Sequence, residues 1–296
     1  MNHPAPTTDQ AAPHATAARP TSPYNPRHFL ALPDARTVPT TALDTVAYAV
    51  AQSLAARSIL CIYGDAGCGK TFTLHTALTY LATPWPAPAS RAHLCVLSPR
   101  PAPTPTSLRA ELLPATGPTL PPTHDPGVLD AALRTQLTTR PYLLALDDAS
   151  RLTAGCVEYL SYLFDDPTTQ ITLVLVTTSI RTLRRQPLLT SRPTRWLPIH
   201  PLTSAEVHEF VPDFHPFWHD VDETVLDHLD AAYGHGNFRR WAQLTHHALR
   251  LQRRSPRPAA AVLEGLLDSL LAPHEITHDD DDHADCSARH ADHRRR

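Results

Sequence analysis

The sequence predicts an α/β fold in which a parallel sheet with flanking helices is followed by a small all-helical domain. Short apolar runs alternate with segments of helical periodicity up to about residue 201, which is typical of parallel strands joined by crossover helices. After Pro201 the strand pattern stops and only helical patterns remain. The predicted division is an arm (1–40), an α/β core (41–201), a helical lid domain (202–272) and a tail (273–296).

The two terminal segments have compositions that disfavour a packed core. The arm is rich in Pro, Ala and Thr, and the tail mixes an acidic block, histidines and an arginine triplet. We expect both to be solvated and flexible. Neither contains a continuous apolar stretch, so we expect no signal peptide, no membrane span and a cytoplasmic location.

The strands and helices of the core follow from hydrophobic periodicity. The predicted strands are 58–63, 92–97, 142–146, 171–176 and 195–199. The predicted helices are 42–56, 70–81, 106–113, 127–139, 152–165 and 179–187. Prolines crowd the segment 83–126, which we interpret as a long surface excursion around the helix at 106–113.

In the lid domain, Thr203 and Glu206 have the spacing of a capping box that opens a helix. A later helix has one apolar face, formed by Phe238, Trp241, Leu244 and Ala248.

The strongest motif is GDAGCGKT at residues 64–71, which fits G-x-x-x-x-G-K-[ST] directly between a predicted strand and a predicted helix. Glycines let successive N–H groups point at phosphates, and the helix N-terminus adds partial positive charge. Lys70, the only lysine among 26 basic residues, would neutralise the phosphates, and Thr71 would hold Mg²⁺. The residues predicted to bind the nucleotide, ATP, are Gly64, Asp65, Ala66, Gly67, Cys68, Gly69, Lys70, Thr71 and Phe72.

A second element is the apolar run YLLAL, which ends in Asp147 and Asp148. In proteins with this loop, the first acid of such a strand orients Mg²⁺ and the second polarises the attacking water. Asp147 is therefore a predicted metal ligand and Asp148 a predicted catalytic residue. The alternative is a strand cap with solvated acids.

Polar residues also follow the fourth strand, where Thr177, Thr178 and Ser179 stand at its end. We assign Thr178 to contact with the γ-phosphate or the lytic water. Hydroxyls at this position equally serve as N-caps of the following helix.

Arginines occur at two further positions of interest. Arg192 and Arg195 lie at the start of the fifth strand, from which a guanidinium could reach the γ-phosphate held by a neighbouring subunit. Arg192 is the preferred catalytic candidate. Arg239 and Arg240 follow a Gly-rich break at the mouth of a lid helix, and Arg239 is predicted to return to the nucleotide.

The order of these elements resembles that of the AAA+ ATPases, whose fold is a P-loop NTPase sheet with a helical lid. The segments IYGDAGCGKT, LALDDASRLT, SRPTRWLPIHPLTSAEV and HGNFRRWAQL look like the bacterial transposition-helper and ExeA-like ATPases, a group that includes the phage Mu B protein. The resemblance covers about residues 42–272. It implies ATP hydrolysis, a homo-oligomer, association with DNA in some cases, and regulation of a partner such as a transposase.

One departure from that group affects hydrolysis. Its members usually carry Asp-Glu where this chain has Asp147-Asp148, so the second carboxylate is set back by about 1.5 Å. Small misplacements can cost orders of magnitude in rate. A nucleotide-gated scaffold or switch without useful turnover is therefore an alternative. A small-molecule kinase with the same loop is another, disfavoured by the late arginines and the helical domain.

Several remaining residues give weaker indications of function. A net charge of −3 does not favour a nucleic-acid or membrane partner, and the five cysteines form no C-x-x-C pair. Most histidines, including His215 and His219, lack ligand partners at metal-site spacing, and we interpret them as solvated or incidental. Helical spacing also aligns a basic stripe that could lie along phosphates or simply face water, formed by Arg250, Arg253, Arg254 and Arg257.

Overall fold

The computed structural model describes residues 32–82, 92–117, 125–192, 194–254, 262–263 and 265–266. Its strands are β1 (Ile59–Tyr63), β2 (His93–Leu97), β3 (Tyr142–Leu146), β4 (Ile171–Thr177) and β5 (Thr194–Pro198). They form one parallel sheet in the order β2-β3-β4-β1-β5. The predicted α/β fold with a parallel sheet is confirmed.

Helices connect successive strands across the two faces of the sheet. They are α1 (Thr41–Ala56), α2 (Lys70–Ala82), α3 (Pro105–Thr116), α4 (Pro126–Thr139), α5 (Ala154–Asp165), α6 (Ile180–Arg184) and α7 (Pro187–Thr190). The single helix predicted over 179–187 is wrong, because the chain forms two short helices that meet at Pro187. Proline lacks the N–H that a continuing helix requires, and it disfavours helical geometry at the preceding residue.

The sheet is buried on both faces, which explains why its central strands are almost continuously apolar. Along β1, Leu60 and Ile62 pack in one core cluster with residues of α1 and α2. Ile59 and Cys61 alternate with them and belong to the other cluster, which contains residues of α3, α4 and α5. The loop that follows β1 is thereby held at the centre of a rigid three-layer core.

The C-terminal part contains α8 (Ser204–Phe214), α9 (Glu223–Leu229), a π-helix (Asp230–Gly234) and α10 (Phe238–Arg254). The predicted capping box is confirmed, since Thr203 and Glu206 exchange side-chain to backbone hydrogen bonds. Trp218 and Trp241 pack edge to face with ring centroids 5.3 Å apart. This gives the lid an apolar core of its own.

Residues 32–40, which composition assigned to the flexible arm, pack against the lid instead. Leu32 is buried with Phe214 and Ala242, and the backbone N–H of Arg36 donates to Phe214 O at 2.8 Å. The apolar side chain of Leu32 explains this contact, because the lid offers it a surface to bury. The rest of the arm and the tail at 273–296 lie outside the described residues, and the domain boundaries stay a prediction.

His215 is also placed differently from the solvated position expected for it. Its ring is buried, with Nε2 2.9 Å from Pro33 O, and its Nδ1 accepts a hydrogen bond from the Phe217 N–H. His219 is exposed. Within the described residues, none of the helices combines the length and apolar character needed to cross a membrane.

Candidate functional site

The phosphate-loop motif forms the turn between β1 and α2, at the carboxyl edge of the sheet. Ligands of open α/β sheets bind at this edge. Gly67 and Gly69 adopt φ of +88° and +87°, which residues other than glycine rarely adopt. These conformations curl the loop over the first turn of α2, whose N-terminal N–H groups have no intrahelical partner.

Lys70 begins α2, and its side chain reaches back across this loop. Its Nζ donates a 2.7 Å hydrogen bond to Asp65 O, and the residue is only 7% exposed. Burial lowers the pKa of the ammonium, the carboxylates of Asp147 and Asp65 oppose that shift, and the nearby Arg239 adds to it. The cation is therefore held inside the loop, where phosphate oxygens would replace the water it has lost.

Thr71 and Asp147 meet beside the lysine. The Thr71 hydroxyl donates to Asp147 Oδ1 at 3.1 Å, and Asp147 is 7% exposed at the end of β3. Mg²⁺ at nucleotide sites binds one or two protein oxygens together with phosphates and water. No group of three or more His, Cys, Asp or Glu among the described residues could hold a metal ion. These two oxygens therefore fit Mg²⁺ only in company with phosphate.

Asp148 is turned away from its neighbour. Its carboxylate pairs with Arg151 at 3.1 Å, and Arg151 in turn donates to Pro99 O at 3.4 Å. Pro99 follows β2, which lies on the side of β3 opposite to β1. The two consecutive acids thus make contacts on opposite sides, Asp147 with α2 and Asp148 with the β2 side. Arg151 was not among the predicted site residues.

Thr178 lies next to the loop because of strand register. β4 pairs directly with β1, and Tyr63 pairs with Thr177, so the residues that follow each strand are neighbours at the carboxyl edge. The Thr177 hydroxyl accepts the Ser179 N–H at 3.0 Å, which leaves Thr178 as the exposed hydroxyl of the three positions. The fold thus brings Thr178 to the site, and its catalytic role stays a prediction.

The lid contacts the loop through the start of α10. Asn237 Nδ2 donates to Ala66 O at 2.8 Å, and Asn237 Oδ1 accepts the N–H groups of Arg239 and Arg240. The Arg239 N–H also lies 3.3 Å from Gly67 O. Asn237 is thus both the N-cap of α10 and a tether to the loop, a site residue that was not predicted. Its position after a glycine and before a helix is the sequence pattern that indicates such a cap.

The two arginines at this point have different surroundings. Arg240 Nη1 donates to Tyr233 O at 3.0 Å and its guanidinium lies over the Tyr233 ring, inside the lid. The charge of Arg239 acts on Lys70. The geometry therefore favours Arg239 over Arg240 as the residue that reaches the nucleotide.

Arg192 and Arg195 lie at the opposite edge of the sheet. Arg195 pairs with Leu60 near the amino end of β1, and Arg192 precedes β5. Arg192 is bound through Nε and Nη2 to both carboxylate oxygens of Asp165, and this contact holds the pKa of Asp165 below its usual range. Neither arginine is near the phosphate loop of its own chain, so either could act only on the nucleotide of another copy.

Comparison with known families agrees with this fold and site. Residues 54–185 match the family model described as an AAA domain. The matched range covers less than half of the chain and includes the phosphate loop and the acidic end of β3. The narrower transposition-helper group stays a prediction. No curated protein matches the chain.

Solved structures with the same fold include proteins from several organisms. The ORC2 protein of Aeropyrum pernix, in ADPNP and ADP complexes, aligns with a TM-score of 0.62 at 15% identity over 79% of this chain and 69% of its own. The ORC1 protein of Aeropyrum pernix in complex with DNA aligns with a TM-score of 0.59 at 20% identity over 80% and 66%. A mutant RuvB of Thermotoga maritima aligns with a TM-score of 0.51 at 17% identity over 76% and 69%. At these identities the likeness concerns the fold, and this chain spans about two thirds of each structure.

Proposed function

We propose that this protein is an AAA+ ATPase that binds Mg-ATP between the α/β core and the lid, hydrolyses it, and assembles with further copies to regulate a partner. The observation that carries the proposal is the 3.1 Å hydrogen bond from Thr71 to Asp147. It joins the phosphate loop to the acidic strand end, and the two oxygen atoms it brings together beside a buried lysine are of the kind that Mg²⁺ prefers.

Each residue of the site has a defined task in this proposal. Bound Mg-ATP would supply the scissile anhydride and a divalent charge that offsets the phosphates. Lys70 and the N–H groups at the start of α2 bind and orient the phosphates, and Thr71 and Asp147 hold the metal ion. Asp148 orients and deprotonates water after release from Arg151. Arg239 reaches the phosphates from the lid.

Partner association is supported by the placement of the arginines. Arg192 lies at the edge of the sheet that is far from the phosphate loop of its own chain. This position suits an arginine finger, a side chain that completes the nucleotide site of a neighbouring copy. Two solved structures of similar fold contain DNA, namely the ORC1 protein of Aeropyrum pernix in complex with DNA and Drosophila ORC bound to DNA. We extend this to a DNA-associated, cytoplasmic oligomer with a transposase-like partner, as the resemblance in sequence implies.

A nucleotide-gated scaffold without useful turnover is the second candidate. The ion pair between Asp148 and Arg151 favours it, because it engages the carboxylate on the side away from the phosphate loop. In this case ATP would act only as an assembly signal, and Asp148 would serve as a strand-end cap.

Replacing Lys70 tests nucleotide binding. A hydrogen bond to a charged group contributes about 1.5–3 kcal/mol, so loss of two phosphate contacts in Lys70→Ala should weaken ATP binding by about 100-fold or more. Lys70→Arg should also bind poorly, since the buried slot fits a compact ammonium. Calorimetric titration with Mg-ATP measures both, and unchanged melting temperatures without nucleotide show that the variants fold. Retained affinity in Lys70→Ala would contradict the proposal.

Turnover separates the remaining candidates. Phosphate release is measured with and without DNA for the parent protein and for Asp148→Asn. Hydrolysis that is lost in this variant, with ATP affinity retained, identifies an ATPase. Absence of turnover in the parent protein together with ATP-dependent assembly supports the scaffold, and transfer of phosphate to a metabolite would identify a kinase.

A further inference from the structure

The helix α10 has an unusual composition for a chain with a net charge of −3. Its 17 residues, FRRWAQLTHHALRLQRR, include five arginines and two histidines but no aspartate or glutamate. An acid-free helix of this kind has no intrahelical ion pairs, so its positive charge is not neutralised along its own surface.

The charges are segregated from the apolar residues. Trp241, Leu244 and Ala248 are buried in the core of the lid. On the outer side, Arg250, Arg253 and His247 are exposed and His246 is half-buried. We call these four residues the basic face of α10. With a rise of about 1.5 Å per residue they span about 10 Å, over which duplex DNA presents roughly six phosphate charges.

The groups of the basic face are close enough to influence one another. The rings of His246 and His247 have centroids 5.9 Å apart. The pKa of His247 is lowered, first by burial and then by the charges of His246 and Arg250. The positive charge of Arg250 thus reaches the ring of His247.

The geometry points to the basic face of α10 as the surface by which this protein contacts the phosphate backbone of duplex DNA. The inference rests on the proposed function, because it names the surface of the DNA partner suggested there. Contacts of arginine with phosphates need no particular base sequence. We therefore expect binding that depends on salt and little on sequence.

Neither the helix dipole nor a membrane surface accounts for the whole basic face. The dipole favours cations in the last turn, which explains Arg253 but not Arg250 further in. A basic amphipathic helix can also lie on an anionic membrane, but this requires a free apolar face. The large apolar face of α10 is buried in the lid through Trp241, Leu244 and Ala248, and Leu251 is the one large apolar side chain that is exposed on the described part of this helix.

The start of the same helix contacts the phosphate loop. Asn237 bonds to Ala66 O, and the Arg239 N–H lies 3.3 Å from Gly67 O. A nucleotide that moves the loop would therefore move α10 as well. Coupling between two binding sites is reciprocal, so the factor by which ATP changes DNA affinity equals the factor by which DNA changes ATP affinity.

The test measures binding of a labelled duplex DNA to the full chain by fluorescence anisotropy at several salt concentrations. Arg250→Ala combined with Arg253→Ala should weaken binding about tenfold or more and lower the salt slope by about 2, since each lost phosphate contact reduces it by about one. The matched control is Arg181→Ala with Arg185→Ala, two exposed arginines on and just after α6. The control should leave both quantities unchanged.

Several outcomes would overturn the inference. These are no binding of the parent protein to duplex DNA at low salt, an equal loss in both double variants, or tighter binding to anionic vesicles or duplex RNA than to DNA. Loss of DNA binding only in the α10 variant, in a chain that binds no ATP, would uphold the inference and refute the proposed ATPase. If the parent protein hydrolyses ATP but the α10 variant binds DNA as tightly as the parent does, the proposed ATPase is upheld and the inference about α10 is refuted.

Discussion

Gly67 offers a direct test of the contact between loop and lid. Its φ is +88°, and a Cβ added there would lie 2.8 Å from Asn237 Nδ2 and closer still to Oδ1. The Asn237 side chain must therefore rotate away in Gly67→Ala. This rotation breaks its hydrogen bond to Ala66 O and removes the N-cap of α10.

Three terms make up the expected loss of stability. A side chain at positive φ costs about 1–2 kcal/mol. Loss of an Asn N-cap costs about 0.5–2 kcal/mol, and loss of one hydrogen bond costs about 0.5–1.5 kcal/mol. Gly67→Ala should therefore lower the free energy of unfolding by about 2–5.5 kcal/mol, summed from these terms.

Urea denaturation followed by far-UV circular dichroism measures this value, and a double-mutant cycle separates the terms. Asn237→Ala alone removes the cap and the tether, at a cost of about 1–3.5 kcal/mol. In that background Gly67→Ala should cost only the backbone term of about 1–2 kcal/mol. Gly155→Ala is the control, because an added Cβ in α5 meets Pro105 Cγ at an ordinary 3.4 Å.

Equal costs of Gly67→Ala in the parent protein and in Asn237→Ala would contradict the predicted clash between the Gly67→Ala methyl group and the Asn237 side chain. Additivity would mean that the two side chains do not conflict, and hence that the lid does not rest on the loop as described. A loss of stability in Gly155→Ala as large as that in Gly67→Ala would also contradict it, since it would reveal a general intolerance of added methyl groups.

Two further predictions concern Arg192 and His215. Arg192→Ala should leave ATP affinity unchanged. If Arg192 acts between copies, turnover per subunit rises with protein concentration in the parent protein, and this rise should be absent in Arg192→Ala. The same rise in both proteins would exclude a role between copies. For His215, burial lowers the pKa below the value of about 6.5 of an unfolded chain. Its stabilising effect is therefore complete above about pH 6.5 and is lost as the pH falls towards the folded pKa. Thermal melts from pH 7.5 to 5.5 should show a smaller loss of stability in His215→Gln than in the parent, and parallel curves would contradict the assignment.

The sequence predicted the parts of the fold that depend on local pattern. The β1 run and the GDAGCGKT motif could be located because apolar strands, positive-φ glycines and a helix start leave short-range patterns. The two residues Thr71 and Asp147 could be assigned to one metal site because the motif and the acidic strand end occur together in proteins with this loop. The break at Pro187 was missed although proline is visible in sequence, because the apolar periodicity around it continues.

Contacts between distant segments could not be predicted in this way. The tether from Asn237 to Ala66 and the packing of Leu32 on the lid depend on contacts between segments that are far apart in the chain. The ion pair of Asp148 with Arg151 depends on a backbone turn, since Asp148 adopts φ of +51°. Hydrophobic periodicity carries no information about such contacts, although they determine the direction in which the carboxylate of Asp148 points.

The buried position of Lys70 makes the phosphate loop separately observable. Because the chain contains no second lysine, lysine labelled with ¹⁵N at Nζ alone would give a single side-chain resonance, and that resonance would report only on the phosphate loop. The presence of a single lysine also restricts chemical modification. Acetylation of a lysine side chain in this protein can occur only at Lys70, so its effect would be all-or-none at each molecule rather than graded over a surface.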